Sequence, residues 1–124
     1  MIMIMDIIII EKPNFKNKEV DEKFSSYYNN VLSEPICRKE IYVKDIKFSK
    51  KEGFLYLRYP LSVWVKVKIQ YSSIHELINN IKKAYKEIYS NPDRFGIWGH
   101  YISDLVIEGI EIFKDGDVNL SIGS

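Results

Sequence analysis

Cysteine is almost missing from this chain. Of its 124 residues only Cys37 carries a thiol, so no disulfide can form within it and a fold without covalent staples, suited to a reducing compartment, is implied. The other soft metal ligands are His75 and His100, and the three residues come from separate segments with neither Cys-x-x-Cys nor His-x-x-x-His spacing. That argues against a structural zinc site. The six glycines form no phosphate-binding fingerprint, since Gly96-Ile97-Trp98-Gly99 encloses bulky apolar residues. A net charge of +1 gives no global reason for a nucleic-acid or membrane partner. Long hydrophobic runs are lacking too. Met1–Ile10 is apolar, but Asp6 interrupts it, it has no basic leader or small-residue cleavage site, and it is far too short to span a bilayer. It reads as a buried strand rich in isoleucine, and a cytoplasmic protein is expected.

What is present is a 46% hydrophobic, 28% charged chain, ordinary for a globular protein and long enough to bury a core. No repeat, low-complexity tract or long linker divides it, so residues 1–124 form one domain. Charge is polarised. From Phe95 onward, Asp104, Glu108, Glu111, Asp115 and Asp117 face Lys114 alone, a net −4 that leaves +5 on residues 1–94.

After a Lys- and Asn-rich loop over 11–18, the spacing of Val20, Phe24, Tyr27, Tyr28, Val31 and Leu32 predicts a helix that ends by Pro35. Glu40 to Phe48 reads as a strand with a bulge near Asp45. Ser49 to Gly53 reads as a polar turn, and Phe54 to Tyr59 as a strand that Pro60 interrupts. Leu61 to Tyr71 alternates strictly, placing Leu61, Val63, Val65, Val67 and Ile69 on the core and Trp64, Lys66 and Lys68 on the other face. Ser73-Ile74-His75-Glu76 is a capping box. It opens a helix with the stripe Ile74, Leu77, Ile78, Ile81, Ala84, Tyr85 and Ile88, which stops at Asn91-Pro92.

A hairpin closes the sequence. A three-residue Lys114-Asp115-Gly116 loop pairs Ile112 with Val118 and Ile110 with Leu120, keeping apolar residues on one face with Gly116 left-handed. Glu108 then falls on the inner parity opposite Ile122, where a carboxylate must lie near the sheet margin, be paired, or be displaced by a bulge at Gly109. The order β-α-β-β-β-α-β-β implies an α+β fold, a mostly antiparallel sheet with two helices packed on one face.

No catalytic signature emerges, and the chain reads as a non-enzyme without cofactor or metal. His100 and Asp104 could form an acid–base pair. In extended chain, however, they stand about 13 Å apart, and a structural hydrogen-bonding role for His100 is favoured. Asp104, Glu108 and Glu111 do not converge on one strand as a magnesium site would require. Trp98 between two glycines is expected in the core, with contact to a partner as the alternative. Trp64 with Lys66 and Lys68, and Tyr56 and Arg58 nearby, resembles the aromatic and basic faces that bind single-stranded nucleic acid.

The segments Ala84-Tyr85-Lys86-Glu87-Ile88-Tyr89, Gly96-Ile97-Trp98-Gly99-His100, Ser103-Asp104-Leu105 and Leu120-Ser121-Ile122-Gly123-Ser124 resemble the endings of small bacterial immunity proteins. These serve contact-dependent inhibition and related polymorphic-toxin systems. The resemblance covers the last third of the chain and carries over no catalytic residue. It implies a cytoplasmic protein that binds a cognate toxin domain, such as a nuclease, and blocks its activity. The expected partner-binding set is Trp98, His100, Tyr101, Asp104, Glu108, Glu111, Asp115 and Asp117, the carboxylates supplying electrostatics and an aromatic residue the anchor. A nucleic-acid face at Trp64, Lys66 and Lys68 is the alternative.

Overall fold

A computed structural model describes residues 5–31 and 46–124, with backbone only for residues 25–31. Cys37, Asp45 and most of the strand expected over 40–48 lie outside the described residues. The elements are β1 (Ile7–Ile10), β2 (Val20–Val31), β3 (Lys47–Leu57), β4 (Trp64–Ser73), α1 (Ile74–Tyr89), the one-turn α2 (Pro92–Phe95), a 3₁₀ turn (Ile102–Asp104), β5 (Val106–Phe113) and β6 (Val118–Gly123). The six strands form one sheet in the order β1-β4-β3-β6-β5-β2. Every described pairing is antiparallel except β3 with β6. The α+β class expected from the sequence is the class observed. No helix among the described residues is long and apolar enough to cross a membrane.

The sheet buries one face under α1. Val65, Val67, Ile69 and Tyr71 of β4 meet Leu77, Ile78, Ile81, Ala84, Tyr85 and Ile88 of α1 in a single apolar cluster. The helix begins where its cap dictates: Ser73 Oγ accepts from the Glu76 N–H at 3.1 Å. Glu76 reaches back one residue further than a standard capping box, accepting from the Ser72 N–H at 2.7 Å and from the Ser72 hydroxyl. Those bonds hold the Glu76 carboxyl below its ordinary pKa.

The terminal hairpin has the expected register, Ile112 opposite Val118 and Ile110 opposite Leu120, with Gly116 at φ 94°. A shift between Ile107 and Gly109 displaces Glu108, which is exposed, while Ile107 and Ile110 on either side are both buried.

The helix expected over 20–32 is instead β2. Its apolar spacing is real but has another cause. The extra residue at Glu108 puts Ile107 and Ile110, three apart, on the core side of β5, and β2 matches them with Tyr27 and Phe24. The bulge thus copies one helical step of three into a strand, and Val, Phe and Tyr suit a strand better than the Ser-Ser and Asn-Asn pairs suit a helix. The turn expected at 49–53 likewise lies within β3, which carries a shift between Lys47 and Lys51. β4 starts at Trp64, later than the alternation suggested, because Leu61, although buried, belongs to the turn after Pro60 and donates its N–H to Arg58.

Candidate functional site: an exposed aromatic loop at one end of the sheet

After α1 the chain is pinned before it turns outward. Ser62 N–H donates to Phe95 C=O at 3.0 Å, and Ser62 Oγ donates to Gly96 C=O at 2.5 Å. Gly96 is left-handed, φ 66°, and a Cβ there would lie 2.5 Å from the Ser62 side chain, so only glycine fits this approach. Phe95 and Ile97 point into the core on either side of it. The same turn directs Trp98 outward, 85% exposed, with Tyr101 76% exposed beyond it. The expectation that Trp98 sits in the core is therefore corrected: burying Ile97 leaves its neighbour on the opposite side.

Tyr59 and His100 form the base of this loop, their rings edge to face at 5.4 Å. The Tyr59 hydroxyl lies 3.5 Å from His100 Nδ1 and 2.8 Å from Ser124 Oγ. Tyr85 donates its hydroxyl to the Tyr59 carbonyl at 2.7 Å, tying the turn beneath the loop to α1. Nearby, the hydroxyl oxygen of Tyr89 is buried and has no hydrogen-bond partner among the described residues. Burial, then the charges of Tyr59 and Asp104, raise the Tyr89 pKa above the ordinary tyrosine value. Asp104 and Glu108 are exposed at this end. Glu108 packs against Gly123, where a Cβ would collide with its carboxylate.

The remaining carboxylates do not join them. β5 separates its two ends by roughly 23 Å at about 3.3 Å per residue, and Asp115 and Asp117 lie at the far end. Asp117 is only 8% exposed. It accepts from the Phe54 N–H at 2.8 Å, Lys18 Nζ at 2.7 Å and the Tyr56 hydroxyl at 3.4 Å. Asp115 also pairs with Lys18. Burial lowers the Lys18 pKa, but bonds to the two carboxylates outweigh it and raise the pKa above the ordinary lysine value. Burial raises the Asp115 pKa, yet Lys18 and backbone bonds bring it below the ordinary aspartate value. Glu111, half-buried at mid-strand, lies opposite Lys23 and Asn119. The expected acidic rim is thus divided between two ends of the sheet. Among the described residues no three His, Cys, Asp or Glu side chains gather as a metal site.

On the second face of the sheet the loop before β2 forms a strap. Phe15 stacks on Phe113 at 5.4 Å and sets its edge against Tyr56 at 5.2 Å and Trp64 at 6.2 Å. Trp64 is half-buried beneath it, Lys66 lies over the Phe54 ring at 4.4 Å, and Lys68 is exposed. Sequence reasoning missed Phe15, Lys18, Tyr59 and Tyr89. Nothing local marks the first two, whereas Tyr59 beside Pro60 and Tyr89 at a helix end were visible as residues without an assigned role.

The chain matches no family model, and no curated protein or solved structure is significantly similar to it.

Proposed function

We propose that this chain is a toxin-neutralising immunity protein whose partner, a bacterial toxin domain, docks on the aromatic loop at residues 98–101. The observation that carries the reading is the exposure of Trp98 and Tyr101, 85% and 76%, on a loop whose stem is held by the bonds of Ser62 to Phe95 and Gly96. A large ring presented on a pre-ordered backbone loses little entropy on binding, which is what an anchor residue needs. Asp104 and Glu108 beside it give that end an acidic character that would steer a basic partner toward it. Asp115 and Asp117 are engaged with Lys18 and serve the fold on this reading. A nucleic-acid partner at Trp64, Lys66 and Lys68 has less to stand on, because Phe15 packs against Trp64 and Lys66 lies over Phe54.

The test is coexpression with the toxin domain encoded beside this chain, followed by copurification and titration. Trp98→Ala is expected to weaken the complex by about 2 kcal/mol or more, on the order of thirtyfold, with the melting temperature nearly unchanged. Undiminished binding and full protection by a Trp98→Ala/Tyr101→Ala double variant would remove this face from the function.

A further inference from the structure

The two outer strands of the sheet are protected differently. β2 carries Asp21, Glu22 and Lys23 along its exposed stretch, the usual charged defence of an edge against another chain. β1 is four isoleucines, with Ile8 and Ile9 each 43% exposed, and its sequence reads the same in both directions. An antiparallel second copy would meet isoleucine with isoleucine. By composition it is the kind of edge that recruits other strands.

The backbone at the start of that edge is nonetheless engaged. Glu87 of α1 accepts the Met5 N–H through both carboxylate oxygens at 3.0 Å. Arg94 of α2 donates to the Ile7 carbonyl at 3.1 Å. Met5 and Ile7 are alternate residues, so their polar groups project to the same side of the strand, the side away from β4. One side chain accepts and the other donates, reproducing the pattern that a neighbouring strand would offer. A groove of about 340 Å³ lined by Met5, Ile7, Glu87, Ser90, Arg94 and Phe95 lies beside them, so space alone does not keep another chain away.

We infer that Glu87 and Arg94 guard the outer edge of β1 against pairing with a second copy of this chain, as side-chain stand-ins for a seventh strand. The guard serves solubility and is independent of the aromatic loop. Analytical ultracentrifugation of the whole chain tests it. The wild type is expected to sediment as a monomer, and Glu87→Ala/Arg94→Ala to self-associate at least about tenfold more tightly. Adding Ile9→Lys, which puts a charge on the bare edge, should restore the monomer. A double variant that stays folded and monomeric overturns the inference, as does association that Ile9→Lys leaves intact. If the double variant does not fold, hydrogen exchange in the wild type decides. The Met5 amide should exchange at least about tenfold more slowly than in an unstructured peptide, and exchange at the unstructured rate refutes the guard.

Discussion

The two ends of the sheet are built to opposite specifications. At the hairpin-turn end, Lys18, Asp115, Asp117 and Tyr56 satisfy one another, Phe15 lies against three other rings, and Tyr71 donates its hydroxyl to Gly116 at 2.8 Å. At the loop end two large rings face water and a buried hydroxyl has no partner among the described residues. The first end spends its polar groups on the fold; the second keeps surface available. The contrast explains why five carboxylates close in sequence do not act together, since position along β5 decides which are used internally.

The largest effect expected from breaking this division is at Asp117. Asp117→Ala leaves Lys18 without its better-buried partner and the Phe54 N–H without an acceptor, and should cost about 2–4 kcal/mol in urea unfolding. Partner affinity, once refolding is complete, should stay within about twofold of wild type. A large loss of affinity would mean that the two ends are not separate. A matched pair of phenols sharpens the comparison. Tyr71→Phe should lose about 1 kcal/mol with its bond to Gly116, whereas Tyr89→Phe should leave stability unchanged or slightly higher, because that hydroxyl is buried and has no partner among the described residues.

The smallest effect is in pH. Because the folded Asp115 pKa is depressed, its contribution is present above the unfolded value near 3.9 and fades as the solution is acidified through the lower folded value. Lys18, whose pKa is raised, stays charged throughout that window. Asp115 is half-exposed, so acid should remove no more than about 1 kcal/mol through this pair. Lys18→Met should flatten that part of the acid-unfolding curve.

The parts of this architecture legible in the sequence are those whose causes are local. Ser73, Glu76 and a stripe ending at Pro92 specify α1 within one segment. The Lys114-Asp115-Gly116 turn specifies the hairpin register because one slip would bury charges. β2 was not legible, since its spacing follows a bulge at Glu108 on a strand that lies far along the chain. Trp98 was not legible either, because its direction depends on Ser62 pressing against Gly96. The strap at Phe15 and Lys18 answers to Asp115 and Asp117, 97 and 99 residues away, and no pattern within a short window reports such a partner.

The parallel contact of β6 with β3, Leu55 opposite Val118 and Tyr56 opposite Asn119, also sets an order of events. β6 is the seam between β1-β4-β3 on one side and β5-β2 on the other, and it is made after all of them. While the chain is being synthesised, the two halves therefore wait with open edges, and the strap has no carboxylates to grip. Contacts this distant in sequence close slowly, so the joining of the two halves is a late step that waits for residues 118–123.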